Sequence, residues 1–139
     1  MFFVQINHTG KGFLFLIFRE IKLRKYSSLH KIFYGLASVT TFSEAKTYLK
    51  KNVYTGGIYL LDIELGQEVG QNNGFDLAEL IKSQDKRAQI IFITTHADLS
   101  LISFERRLGP VDYIVKPRNK EDYDRFKQRL VATLEISIS

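Results

Sequence analysis

The chain contains no cysteine and no tryptophan, and only two prolines and one methionine, in 139 residues. Without cysteine it can form no disulfide, no thiolate metal site and no cysteine nucleophile, which suits a reducing compartment. Long apolar runs are missing as well. The longest extends only from Phe13 to Phe18, far short of the roughly 20 residues that a membrane-spanning helix needs. No small-residue cleavage site follows it, so it does not read as a secretion signal either. The expectation is a soluble, cytoplasmic protein. Repeats, low-complexity tracts and Pro/Gly-rich linkers are also absent, so residues 1–139 read as one domain around one core.

What is present has an ordinary globular balance, with 45% hydrophobic and 25% charged residues. Eleven Phe and seven Tyr imply that rings carry much of the packing. The net charge of +5 is unevenly placed. Residues 1–51 hold nine Lys/Arg against two acids, Glu20 and Glu44, whereas the remainder holds eleven against thirteen. Such a basic third can face nucleic acid, an anionic membrane or an acidic partner. Here the basic residues are scattered, without interleaved aromatics for stacking. A solvated helix face, with lysine stems lying over apolar surface, is the preferred reading.

Strand-like and helix-like stretches alternate along the chain. Residues 57–61, 89–94 and 111–115 are short, continuous apolar runs, as expected of strands covered on both faces. Residues 2–6 and 36–40 are weaker strand candidates. Between them, Ser43 can cap a helix through Lys50, Asn73-Gly74 opens one over residues 75–83, and Asp98 can cap a third that Gly109-Pro110 stops. Asn119 and Asp122 begin the last helix, on which Tyr123, Phe126, Leu130 and Leu134 form a 3.6-period stripe. A first helix has Phe13, Leu14, Ile17 and Ile21 on one face and Lys22, Arg24 and Lys25 at its negative end. A strand over residues 13–18 is the competing assignment. With the helix accepted, the pattern is α/β, a doubly wound (βα)5 five-stranded parallel sheet.

In such sheets chemistry gathers at the carboxyl ends of the strands. That selects Asp62 after the third strand, Thr94 at the end of the fourth and Lys116, followed by Pro117, after the fifth. A carboxylate can attack phosphorus and become an acyl phosphate. A hydroxyl and an ammonium can bind the transferred oxygens, and a cation can offset the charge. Singly, each residue is as well explained by a turn, a cap or the start of a loop. Three polar groups at three strand ends are harder to ascribe to turn chemistry.

The segments that hold these residues also resemble a known family. Tyr59-Leu60-Leu61-Asp62-Ile63, Asn73-Gly74-Phe75-Asp76-Leu77, Ile91-Phe92-Ile93-Thr94-Thr95-His96 and Asp112-Tyr113-Ile114-Val115-Lys116-Pro117 are similar, in order and spacing, to motifs of response-regulator receiver domains. The likeness covers about residues 57–135. It is greatest to peptide-quorum-sensing regulators of the accessory-gene-regulator and competence-regulator type, whose receivers precede a LytTR DNA-binding domain. The resemblance implies a flavodoxin-like receiver in which Asp62 accepts phosphoryl from a histidine kinase. It makes Thr94 the switch hydroxyl, Tyr113 the switch aromatic and Lys116 the phosphate-binding lysine. It also makes the backbone carbonyl of Glu64 a magnesium ligand and Lys116-Pro117 a cis bond. The implied output is a regulator of transcription, not an enzyme beyond its own phosphorylation and dephosphorylation. It would form a weak homodimer and reach DNA only through an output domain that residues 1–139 do not contain.

One departure stands out. Receivers carry an acidic pair after the first strand, where the carboxylates hold magnesium, and this chain has Asn7 and His8 there. Asn7 offers one neutral oxygen and an imidazole suits zinc or copper better than magnesium, so weak Mg2+ binding at Asp62, Glu64, Asn7 and His8 is expected. The alternative is a phosphorylation-independent pseudo-receiver acting as a protein-interaction module. A phosphatase of the haloacid-dehalogenase type ranks last, because its paired aspartates follow the first strand. His96, just beyond the fourth strand, reads as a loop or helix-start residue. The long stretch 64–73 reads as mobile. Phe15, Leu16 and Leu23 read as buried under the last helix rather than as a partner surface. Self-association is expected through the fourth helix, fifth strand and fifth helix, which hold Glu105, Arg106, Arg107, Asp112, Asp122 and Arg125.

Overall fold

The computed structural model describes residues 16–18, 20–22, 32–34, 39, 41–51, 56–63 and 73–138. In chain order these form β1 (Leu16–Phe18), β2 (Glu20–Lys22), β3 (Ile32–Tyr34), α1 (Phe42–Lys51), β4 (Ile58–Leu61), α2 (Gly74–Gln84) and β5 (Gln89–Thr94). A 3-10 turn (Ala97–Leu99), α3 (Ser100–Glu105), β6 (Asp112–Val115) and α4 (Tyr123–Ile138) complete them. Four strands make one sheet in the order β1-β4-β5-β6, and β2 and β3 form a separate antiparallel pair. Of these, β4, β5 and β6 are parallel, with Leu61 opposite Phe92 and Phe92 opposite Tyr113. All of β4 is buried, as is all of β5 after Gln89. That double coverage is why these strands read as unbroken apolar runs.

Strand alternation sends successive side chains to opposite faces. Tyr59, Leu61, Ile90 and Phe92 pack with Ala45 and Leu49 of α1 and with Phe75, Leu77, Ala78 and Ile81 of α2. Ile58, Leu60, Ile91, Ile93 and Ile114 pack with Phe126, Leu130 and Leu134, the stripe of α4. Burial of each such side chain stabilises the fold by about 1.5–3 kcal/mol relative to exposure.

The amino-terminal part departs from expectation. Leu16–Phe18 is a strand, antiparallel to β4 with Leu16 opposite Leu60, and Glu20–Lys22 is another. The competing strand assignment therefore holds at residues 16–18. A dense run of Phe, Leu and Ile without a 3.6 period has no single helical face to bury, and these residue types suit a pleated surface. The sheet is accordingly not parallel throughout. The strand expected over residues 2–6 lies outside the described residues, as do all of 36–40 except Val39.

Helix starts also differ in detail. The α1 cap is Thr41, whose Oγ1 accepts from the Glu44 N–H at 3.1 Å, and not Ser43. Asn73 caps α2, its Oδ1 accepting from the N–H groups of Phe75 and Asp76 at 2.9 and 3.2 Å. Asp76 returns the bond through Oδ2 to the Asn73 N–H at 2.9 Å, completing a capping box. Asp98 caps nothing: it lies inside the 3-10 turn, and neither that turn nor α3 has a side-chain cap. Beyond α3 the chain turns through Arg107 and Gly109, both at positive φ (55° and 53°), which only glycine adopts without strain.

Candidate phosphoryl-acceptor site

The carboxyl ends of the parallel strands collect the polar residues named from the sequence. Asp62 leaves β4, Thr94 ends β5 and Lys116 leaves β6, so all three stand at the same end of neighbouring strands. Lys116 Nζ lies 2.5 Å from Asp62 Oδ2. Asp62 and Thr94 are both buried, Thr94 completely. The Lys116 N–H donates to the Thr94 carbonyl at 2.7 Å, which fixes the spacing of the last two strands at this edge. No described peptide bond is cis, so Lys116–Pro117 is trans, contrary to the expected cis bond.

The Thr94 hydroxyl is turned toward the loop that follows β5, where its Oγ1 accepts from the His96 N–H at 3.2 Å. Tyr113 reaches the same loop from β6, its hydroxyl donating to the His96 carbonyl. Its ring packs on Phe92 (centroids 6.0 Å apart), and Phe92 meets Phe75 edge-on at 5.2 Å. Burial, followed by the negative charges of Asp98 and Asp62, pushes the Tyr113 phenol up to about 12. Residue 96 is thus held by both a strand-end hydroxyl and a strand aromatic.

Beneath Asp62 sits the start of α2. The Gly74 N–H donates to the Ile63 carbonyl at 2.8 Å. A Cβ on residue 74 would collide with the Asp62 carbonyl oxygen and lie 2.8 Å from Ile63 Cα. Glycine is required here for close approach, not for its φ. This feature is visible in sequence only as a turn signal.

Asn7, His8 and Glu64 lie outside the described residues. Among the described residues, no group of three His, Asp or Glu side chains is arranged to hold a metal ion. Among the described residues Asp62 is the carboxylate that the strand ends bring to Lys116, which pairs with it. The described donor set does not make a magnesium site by itself.

On the other side of β6, Asp112 ties the strand to α4. It accepts from Arg129 Nη2 at 2.7 Å and from the Thr133 hydroxyl at 2.9 Å. Burial would raise its carboxyl, but the bonds from Arg129, Thr133 and the Tyr113 N–H outweigh that and hold it below the ordinary range. Arg106, at the end of α3, pairs with Asp76 (2.9 Å) and Glu79 (2.8 Å) of α2. Two of the charges expected at a self-association face, Arg106 and Asp112, are therefore engaged within the chain. A cleft of about 770 Å³ opens between β6 and α4, bordered by Asp98, Lys116, Arg118, Asp122 and Arg125.

Residues 23–125 match the family model described as the response regulator receiver domain. The chain belongs to this family. Among curated proteins, this receiver domain is 34% identical over 81 residues to accessory gene regulator protein A of Staphylococcus epidermidis, across 58% of this chain and 31% of that protein. It is 32% identical over 87 residues to accessory gene regulator protein A of Staphylococcus aureus, across 63% of this chain and 34% of that protein. The chain thus spans about a third of the length of these relatives. The solved structure of NtrX from Brucella abortus in complex with ATP aligns with a TM-score of 0.48 and 24% identity, covering 68% of this chain and 20% of that one. Receiver domains are regulatory parts of two-component systems, whose partners are histidine kinases, and the family's acidic pocket typically binds Mg2+. Among the described residues no helix is long and apolar enough to cross a membrane.

Proposed function

We propose that this receiver domain accepts a phosphoryl group on Asp62 and that Thr94, Tyr113 and Lys116 convert the event into a change of surface. The observation that carries the reading is the Lys116–Asp62 contact at an edge shared with Thr94. An Asp62 carboxylate oxygen attacks phosphorus of a phosphohistidine, the P–N bond breaks, and the electron pair stays on the imidazole nitrogen, which takes up a proton. Lys116, already on Asp62, then faces the phosphoryl oxygens. The Thr94 hydroxyl leaves the His96 N–H to bind another of those oxygens, and the loop held by Tyr113 follows it. No catalytic turnover of an external substrate is part of this reading.

The output is proposed to be weak self-association or contact with a DNA-binding domain, in a cytoplasmic regulator of transcription of the accessory-gene-regulator kind. Leu101 and Phe104 on α3 are 68% and 72% exposed, and Val115 on β6 is exposed as well. Around the cleft that Val115 lines, Arg118 and Arg125 stand with Asp98 and Asp122, opposite charges that suit a second copy of the same face. Exposed pairs of this type contribute little each, so the dimer is expected to be weak.

Magnesium is expected to bind poorly, because Asn7 and His8 supply no negative charge. The deciding experiment is intact-mass analysis after a small-molecule phosphodonor, with and without magnesium, using Asp62→Ala as control. One added phosphoryl in the native chain and none in the control supports the reading. An unmodified native chain under every condition would leave an interaction module that works without phosphorylation. Asn7→Asp with His8→Asp should tighten magnesium and speed the modification; native binding as tight as the variant's would mean that another group, Glu64 first, completes the site.

A further inference from the structure

Arg106, the residue that closes α3, lies 30 positions after Asp76 in sequence, yet its guanidinium ends a chain of bonds that reaches the backbone beside Asp62. Its Nη2 donates to Asp76 Oδ1 at 2.9 Å. The other oxygen of that carboxylate, Oδ2, accepts the Asn73 N–H. Asn73 in turn holds the first two free N–H groups of α2. Between them, Gly74 donates to the Ile63 carbonyl at 2.8 Å and leaves no room for a Cβ against the Asp62 carbonyl. Both oxygens of Asp76 are thereby used, one by the cap and one by Arg106.

We infer that Arg106 is a positioning residue for the phosphoryl acceptor: by locking Asp76 it fixes the capping box, and through Gly74 it fixes the backbone that carries Asp62. The inference rests on Asp62 being the acceptor.

Several features favour positioning over a general surface role. Arg106 is held from three directions, since Nε also donates to Glu79 at 2.8 Å and the guanidinium lies 5.8 Å from the centre of the Phe75 ring. Its side chain is only 27% exposed. The α3 end that carries it is firmly closed: the N–H groups of Arg106 and Leu108 donate to the Ile102 and Ser103 carbonyls at 2.9 and 3.0 Å, and Leu108 is buried. A rigid guanidinium on a closed helix end is a suitable anchor for a carboxylate whose orientation matters. In the opposite direction, the same anchor joins the acceptor loop to the helix that displays Leu101 and Phe104. A displacement of Asp62's backbone on modification therefore has a route to that surface that does not pass through Thr94 or Tyr113.

The test compares Arg106→Ala, Arg106→Lys and Glu79→Gln in the full chain, with two readouts. One is the rate of Asp62 modification by acetyl phosphate across donor concentrations. The other is hydrogen exchange of the Gly74 amide, which does not depend on any phosphorylation. Arg106→Ala is expected to lower the saturating rate about tenfold, less than the roughly hundredfold that a 1 Å misplacement of a reacting group can cost, with the half-saturating donor concentration unchanged and Gly74 exchange accelerated. Lysine at 106 can reach one acid and should recover part of both effects. Glu79→Gln breaks only the branch that does not lead to the cap and should leave both readouts as in the native chain. Arg106→Ala that matches the native chain in rate and Gly74 protection overturns the inference. So does a slower rate with Gly74 unchanged, because the route through the α2 cap is then absent. Should Arg106→Ala fail to fold, the lysine and Glu79 variants decide by the same criteria. If no variant and not the native chain takes up phosphoryl, the acceptor reading fails, while Gly74 exchange still reports whether Arg106 holds the cap.

Discussion

The two sides of the sheet are built from different materials. The side under α4 is mostly aliphatic, with Ile58, Leu60, Ile91, Ile93 and Ile114 against Leu130, Leu134 and Phe126, and with Tyr123 at its margin. The side under α1 and α2 holds Tyr59, Phe75 and Phe92, with Tyr113 packed at its margin. Branched side chains on the first side only fill space. On the second, a file of rings runs from Phe75 through Phe92 to Tyr113 and ends in a hydroxyl bonded to the loop beyond β5. Polar links follow the same division. Those of the α4 side, Arg129 and Thr133 on Asp112 and Gln89 on the Ser137 carbonyl, bind a helix to strand ends. On the α2 side, the links at the start of the helix lead to the backbone beside Asp62. One side of the sheet is a foundation and the other a connection, although both bury apolar surface equally completely.

If this division is sound, mutations on the two sides should separate stability from acceptor behaviour. Leu130→Ala should have the largest effect on stability, about 2–5 kcal/mol by urea unfolding, while the folded fraction modifies Asp62 at the native rate. A slowed rate in that variant would break the comparison. Next, Gly74→Ala should cost about 1–3 kcal/mol because a methyl group must displace the Asp62–Ile63 backbone, and it should slow modification as well. Native kinetics in Gly74→Ala would show that the close approach matters only for packing.

Smaller effects sharpen the contrast further. Asp112→Asn should cost on the order of 1 kcal/mol at neutral pH, since Asp112 is bonded to a half-exposed Arg129 and to Thr133. The folded carboxyl is depressed. Its contribution is therefore fully present above the ordinary aspartate value of about 3.9 and is lost as pH falls through the lower folded value. The native and Asp112→Asn unfolding curves should converge on acidification through that window. Smallest of all is the Tyr113 phenol, raised to about 12. Its contribution is complete below the usual tyrosine value of about 10 and declines as pH rises from there toward 12. Ultraviolet titration should show a late phenolate that Tyr113→Phe removes, and Phe92→Leu should bring it earlier by loosening the ring file.

Much of this organisation is legible in the sequence where one physical rule dominates. The three central strands announce themselves as unbroken apolar runs, and the stripe of Phe126, Leu130 and Leu134 gives α4 its buried face. Asp62, Thr94 and Lys116 can be placed near one another because neighbouring parallel strands present their carboxyl ends at the same edge of a sheet. Elsewhere two rules compete. The run from Phe13 to Phe18 satisfies no periodicity, and a helix reading of it gives way to pairing of Leu16–Phe18 with β4. Thr41 and Ser43 both offer a hydroxyl before an apolar stretch, and only the backbone path selects Thr41. Arg106 shows no local sign of its role, because Asp76 lies 30 positions earlier and Glu79 27. Its reading as an interface charge follows from the likeness to receivers that pair through this region, not from its own surroundings.

Asp85, buried at the edge of the sheet away from Asp62, has its own consequence. Its carboxylate oxygens accept the Gly56 and Gly57 N–H groups at 2.9 Å each, and Oδ1 also accepts that of Arg87 at 3.1 Å. One side chain thus fastens the approach to β4 to the approach to β5 through backbone groups that every residue except proline supplies. Such a joint is indifferent to most neighbouring side chains. Residue 57 must stay small, as a Cβ there would lie 2.8 Å from the Tyr59 ring, but Arg87 can drift to other residues without loosening the join. Descendants of this sequence therefore have wide freedom to vary at this end of the domain, provided that Asp85 and Gly57 are inherited together with Gly56, whose φ of 75° favours glycine.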